Sequence, residues 1–183
     1  MTVHSPKLGV DTLVLHGGSL RHDPATSATT VPIYQSTSFD FPDTAAAIRI
    51  VNFEQIAFTY SRVGNPTVDA FEQRLAALEG GVAALGVASG QAATALAVLT
   101  LVEAGDNIVT SPDLYGGTVH FFRERLKQFG IEARFVDPAD PENFRRATDD
   151  RTRLCFGETL PNPKLSVFPI EEVAAIGRPL ASP

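Results

Sequence analysis

From Val82 onward, short apolar runs alternate with stretches of helical periodicity, and no other feature of the chain restricts its fold so tightly. "VAALGVA" precedes "AATALAVLTLVEAG", "NIVTS" precedes "TVHFFRERLKQFG", "IEARFV" precedes "PENFRRAT", and "TRLCFG" precedes "FPIEEVAAIG". Apolar runs without polar alternation suit strands covered on both faces, and the intervening helices suit crossovers between parallel strands. The pattern predicts an α/β fold with a mostly parallel, doubly covered sheet. Ligands of such sheets sit outside the carboxyl ends of the strands, so the strand-to-helix loops are where chemistry is expected.

Upstream the signals are weaker. "NPTVDAFEQRLAALEGG" predicts a helix with Asn65 as N-cap, Pro66 in the first position, and Val68, Phe71, Leu75 and Leu78 on one face. Gly80 and Gly81 would stop it. Residues 1–60, rich in Ser, Thr, Pro and Gly, read as an extended N-terminal arm with little core of its own, and residues 61–183 as the sheet domain. Another strand is expected after the helix that ends near Gly177, yet "RPLASP" closes the sequence, so the sheet domain reads as cut off partway.

The 183 residues, 44% hydrophobic and 20% charged, can bury a substantial core. A net charge of −6, with no basic cluster, argues against nucleic acid or an anionic membrane as partner. The lone Cys155 allows no intrachain disulfide, and no export signal or membrane span is evident. A cytoplasmic location is expected. His4, His16, His22 and His120 have no metal-binding spacing, so no metal is assigned.

Three loops carry the chemistry. In "GVASGQAATALA", Ser89, Gly90 and Gln91 join a strand run to an Ala-rich helix, whose free amides and dipole would attract an anion such as phosphate. A plain tight turn capped by Ser89 is the alternative. No dinucleotide or Walker pattern is present. In "TSPDLYGGTVHFF", Tyr115 stands at a strand end, where an aromatic ring can stack on a flat ligand or simply fill the loop. In "FGETLPNPKL", Glu158, Thr159 and Asn162 lie on a proline-stiffened turn that suits a polar clamp, or a solvated turn. A flat, phosphorylated, hydrogen-bonding cofactor would satisfy all three.

"YSRVGNPT", "ASGQAATA", "DLYGGT" and "ETLPNP", in this order and spacing, resemble the Cys/Met-metabolism family of pyridoxal-phosphate enzymes, within the fold-type I superfamily. The likeness covers nearly the whole chain and implies a three-layer α/β/α large domain. It implies further that Gly90 and Gln91 offer backbone amides to the phosphate of pyridoxal 5'-phosphate (PLP), that Tyr115 stacks on its ring, that Asn162 bonds the ring hydroxyl, and that Glu158 belongs to the nearby polar network. Tyr60 and Arg62 are expected to reach the phosphate of a neighbouring subunit, making a homodimer or homotetramer the functional form. A guanidinium can fork onto phosphate oxygens and a phenol can donate once more.

Within the family, Gln91 in "SGQAA", "LYGGT" and "VPIYQSTSF" are most similar to O-acetylhomoserine sulfhydrylases. Cystathionine γ-synthases and γ-lyases, the nearest alternatives, more often carry methionine where Gln91 stands. The implied reaction is γ-replacement on a small amino-acid substrate: the ring serves as electron sink, acetate leaves the γ-carbon and sulfide adds to give homocysteine. Tyr115 and Tyr60 would aid proton traffic or contact the leaving group. Family members also use a lysine in a Ser/Thr-rich stretch and an aspartate beside the pyridine nitrogen. Neither is matched here: the lysines are Lys7, Lys127 and Lys164, the last two expected to be solvated, and none lies in such a stretch. The polypeptide alone is therefore expected not to catalyse the full reaction. Two other readings remain open: a non-catalytic oligomerisation remnant, and a binder of some other phosphorylated metabolite.

Overall fold

The structure is a computed structural model that describes residues 8–18, 23 and 25–178. His4, Lys7, His22 and the closing "PLASP" lie outside the described residues. The chain groups into two compact units, Met1–Gly86 and Val87–Pro183.

In the first unit, α1 (Val10–His16) packs against α3 (Pro66–Glu79), and α2 (Thr44–Val51) lies between them in sequence. Two short helices thus interrupt the segment expected to be extended. Helix α2 starts where the Asp43 carboxylate accepts the Ala46 amide at 2.6 Å, and it buries Ala46 and Ile50. The expected signals of α3 operate: the Asn65 side chain accepts the Thr67 amide at 2.9 Å, and Gly80 stops the helix at φ 68°, a left-handed conformation that costs glycine little. Its apolar face behaves differently from expectation. Val68, Phe71 and Leu75 stay exposed, and Ala76 is the residue α3 buries. The face turned to α1 is the one carrying Ala77, whose Cβ lies 3.4 Å from where a Gly17 side chain would begin.

The second unit holds a parallel sheet in the order β2-β1-β3, with β1 at Asn107–Thr110, β2 at Glu132–Phe135 and β3 at Thr152–Phe156. Every residue of β1 is buried. Ile108, Leu154 and Phe156 face Val98 of α4 (Gly90–Leu101) together with Phe122 and Leu126. Val109 and Cys155 face Phe144 of α6 (Glu142–Ala147) and Val173 and Ile176 of α7 (Ile170–Gly177). Alternate side chains of one strand therefore enter two cores, which makes the unit the three-layer α/β/α arrangement expected.

At the amino ends of the strands a polar cluster fixes their alignment. Buried Asn107 accepts the Thr152 hydroxyl at 2.7 Å and donates to Asp149 at 2.8 Å, while Asp149 also pairs with Arg134 at 2.8 Å. This ties all three strands where the β1–β3 register shifts between Asn107 and Ile108.

Two further expectations, both in the alternating pattern from Val82 onward, need correction. "VAALGVA" is coil, with Val82 and Leu85 exposed, because a strand persists only by pairing and no described strand lies beside it. The stretch "TVHFFRERLKQFG", expected as one helical run over 118–130, changes winding twice: α5 (Gly116–His120) runs into a π turn at Phe121–Arg125 and a 3₁₀ turn at Leu126–Phe129. The rewinding accompanies complete burial of both Phe122 and Leu126. Among the described residues, no helix is long and apolar enough to cross a membrane.

Candidate active site

The helices after β1 and β3 leave the sheet on opposite faces, α5 toward the core of Val98 and α7 toward the core of Phe144. Neighbouring strands whose connections part in this way leave a crevice at their carboxyl ends, the usual ligand position in such sheets.

At one wall stands the start of α4. Ser89 has extended backbone, and its hydroxyl accepts the Ala92 amide at 3.1 Å. Its carbonyl takes the Ala93 amide at 3.0 Å. The amides of Gly90 and Gln91 have no acceptor among the described residues, as expected in a first helical turn. A Cβ added to Gly90 would meet no atom within 4 Å, and Ser89, Gly90 and Gln91 are all exposed, so this end of α4 is uncovered among the described residues. The Gln91 side chain is engaged elsewhere: its amide donates to the Thr118 hydroxyl at 2.9 Å, and Thr118 is buried in α5. Gln91 thus presents main chain to the crevice and spends its side chain on tying α4 to α5.

Tyr115 is set by the turn after β1. The Ser111 hydroxyl accepts the Asp113 amide at 2.9 Å, and buried Leu114 anchors the turn in the core. The Tyr115 carbonyl then accepts the Thr118 and Val119 amides, starting α5. Half of the Tyr115 residue stays exposed. Its ring lies so close over Gly117 that a Cβ there would come within 2.5 Å of the ring, and a side chain at that position would displace it.

The third loop meets the second directly. Glu158 accepts the Tyr115 amide with both carboxylate oxygens, at 3.1 and 3.0 Å. The turn from Pro161 to Leu165 closes by a 2.7 Å backbone hydrogen bond and carries Asn162 exposed, its side chain unbonded among the described residues. Lys164 is not simply solvated, as the sequence suggests, because it reaches Asp113 at 2.6 Å. That carboxylate, above all by its hydrogen bond, holds the Lys164 ammonium above the usual lysine range. Cys155, half-buried in β3, has its thiol pushed up by burial.

Tyr60 and Arg62 are brought together in the first unit. Tyr60 forms an antiparallel bridge with Ser38, flanked by Phe39 N to Thr59 O at 3.0 Å and Ser61 N to Thr37 O at 2.8 Å. The Arg62 guanidinium carbon lies 5.2 Å from the centre of the Tyr60 ring, and both side chains are exposed. The structure therefore groups the eight expected residues into two sets, Tyr60 with Arg62 in one unit and Ser89, Gly90, Gln91, Tyr115, Glu158 and Asn162 in the other. Sequence reasoning did not assign site roles to Thr118, Asp113 and Lys164. Their partners lie 27 and 51 residues away, and only the strand order brings them near.

An open pair of helix N-terminal amides, an exposed aromatic ring and a free carboxamide on one sheet edge form a donor set suited to a phosphate monoester on a flat, hydroxylated ring. Residues 11–180 match the family model described as Cys/Met metabolism PLP-dependent enzyme. The chain belongs to the Cys/Met metabolism PLP-dependent enzyme family. PLP is the cofactor of this family, and the residues of the second unit fit it.

An O-acetyl-L-homoserine sulfhydrylase of Leptospira meyeri is 47% identical over 173 residues, 94% of this chain and 39% of that protein. Two solved structures share the fold. A Campylobacter jejuni protein described as an O-acetylhomoserine (thiol)-lyase, carrying N'-pyridoxyl-lysine-5'-monophosphate, superposes with a TM-score of 0.86 at 37% identity. A cystathionine gamma-lyase from Lactobacillus plantarum, complexed with L-serine, gives 0.82 at 34%. Each comparison covers 94% of this chain and 42% of the other. The chain thus spans about two-fifths of the length of the family members it matches.

Proposed function

We propose that these residues form the phosphate- and ring-holding part of a PLP site in an enzyme that replaces the acetate of O-acetylhomoserine with sulfide, giving homocysteine. What supports this reading is the pair of links, Gln91–Thr118 and Tyr115–Glu158, that ties the start of α4, with its exposed Gly90 and Gln91, to the Tyr115 turn and that turn to the loop bearing Asn162. The 47% identity to a sulfhydrylase supports the choice of substrate.

Bound there, PLP supplies an electron sink for charge developing on the substrate. The chain's own residues bind, orient and shield. The Gly90 and Gln91 amides hold phosphate oxygens, each charge-assisted contact contributing roughly 1.5–3 kcal/mol, and the α4 dipole favours the same anion. Tyr115 covers one ring face and keeps water from it. Glu158 fixes the Tyr115 backbone, so the ring is aimed before the cofactor arrives. Asn162 donates to the ring hydroxyl. Tyr60 and Arg62, stacked on each other, serve the phosphate of a neighbouring subunit, and the minimal functional unit is then a homodimer. The phenols of Tyr115 and Tyr60 hold or pass a proton near the departing acetate.

That Lys127 lies on the 3₁₀ turn, that Lys164 is bound to Asp113 and that neither stands in a Ser/Thr-rich stretch supports the reading that neither carries the cofactor covalently. These 183 residues by themselves accordingly bind without turning over. Two assays test the proposal. The natural polypeptide containing this sequence should form homocysteine and acetate from O-acetylhomoserine and sulfide; cleavage of cystathionine with no such replacement would favour the γ-lyase reading instead. The 183-residue chain, treated with PLP and borohydride, should yield no stoichiometric adduct at a single lysine, and finding one would overturn its assignment as non-catalytic.

A further inference from the structure

Two hydrogen-bonded links join the loop after β1 to the loop after β3 among the described residues. One is Tyr115 N to Glu158; the other is Lys164 Nζ to Asp113 Oδ2. The second joins points 51 residues apart and flanks both residues expected to face the cofactor ring. Asp113 is two residues before Tyr115, and Lys164 is two residues after Asn162.

The two ends differ in rigidity. The Asp113 side chain is 17% exposed, and its backbone is held by the Ser111 hydroxyl and by buried Leu114. The Asn162 turn has less support: Asn162, Pro163, Lys164 and Leu165 are exposed, and although Pro161 is buried and the Phe168 amide donates to the Thr159 carbonyl at 3.1 Å across the base, Lys164 makes the one side-chain hydrogen bond of the turn among the described residues.

We propose that the Lys164–Asp113 ion pair is a latch that sets the gap between the Tyr115 ring and the Asn162 carboxamide, making both residues positioning residues for the flat ligand. This inference rests on the cofactor reading above. The Lys164 side chain is 60% exposed, so the pair contributes little to global stability. Its effect is local, on the fraction of molecules whose Asn162 turn is docked. A ligand that needs the docked turn binds in proportion to that fraction.

Lys164→Met keeps the apolar stem and removes the charge; Asp113→Lys combined with Lys164→Asp restores a pair with the signs reversed. Three measurements on the 183-residue chain separate the possibilities: amide hydrogen exchange over residues 159–165, affinity for pyridoxamine 5'-phosphate, which cannot join a lysine, and the thermal midpoint. Lys164→Met should speed exchange and weaken binding by a similar factor, about two- to fivefold, with the midpoint unchanged. The charge-swapped protein should recover most of both. High salt should mimic Lys164→Met in the parent and have less effect in the variant. Unchanged exchange in Lys164→Met overturns the latch, as does a lowered midpoint that accounts for the whole change. Failure of the parent to bind pyridoxamine 5'-phosphate would refute the cofactor reading instead, while the exchange arm still decides the latch.

Discussion

Replacing Gly90 with alanine should separate folding from binding. Gly90 is the first residue of α4, its φ is not positive, and a Cβ there meets no atom within 4 Å. The fold therefore tolerates the methyl group. The loss of glycine's freedom in the unfolded chain stabilises by about 0.4–1 kcal/mol, which raises Tm by roughly 1–4 °C for a chain of this size. Binding should move the other way. A helical Cβ leans toward the N-terminus, so this one projects over the side from which an anion approaches the Gly90 and Gln91 amides. Losing one charge-assisted contact of about 1.5–3 kcal/mol weakens affinity roughly ten- to hundredfold. Calorimetric titration with pyridoxamine 5'-phosphate, paired with thermal unfolding by circular dichroism, reads both quantities. An undiminished affinity in a protein with raised Tm would falsify the assignment of these amides as the phosphate anchor.

The polar cluster below the sheet makes separate predictions. Asn107→Leu leaves the buried Thr152 hydroxyl only its longer 3.3 Å contact to Asp149 as a donor and removes a donor from Asp149, and should lower the unfolding free energy by about 1.5–3 kcal/mol in urea titrations. Asp149 is held well below the usual carboxylate range, first by the Asn107 hydrogen bond and then by Arg134. Its contribution is therefore fully present above the unfolded value of about 3.9 and fades as pH falls below it; Asp149→Asn should flatten that part of the stability–pH curve, and an unchanged acid limb would refute the pairing. Phe122→Ala opens a cavity beneath Phe156, whose ring centre lies 5.0 Å away, and should cost about 3–5 kcal/mol in the same titration.

The parts of the fold that were legible in the sequence are those set by local chemistry. Asn65, Pro66 and Gly80 bound α3 as read, Ser89 caps α4, and the three apolar runs from Asn107 onward become parallel strands, β1 buried throughout and β2 and β3 partly. What the sequence concealed depends on partners distant in the chain. "VAALGVA" has strand composition, yet composition cannot supply a neighbouring strand, and the segment stays coil. The apolar stripe of α3 announces a buried face that the described residues do not cover. The same distinction runs through the candidate site. Gly90, Tyr115 and Asn162 stand out because each sits in a loop of unusual chemistry. Asp113 and Lys164 look like ordinary surface charges until the order β2-β1-β3 sets their loops side by side. Gln91 is read from the sequence for its backbone amide alone, and nothing in the sequence shows that its side chain turns to Thr118, 27 residues on.

The most direct test is a crystal structure of the 183-residue chain grown with pyridoxamine 5'-phosphate. The account predicts phosphate oxygens within hydrogen-bond reach of the Gly90 and Gln91 amides, the pyridine ring against Tyr115, and the ring hydroxyl facing Asn162. A phosphate bound anywhere else, with the start of α4 left to solvent, would contradict it.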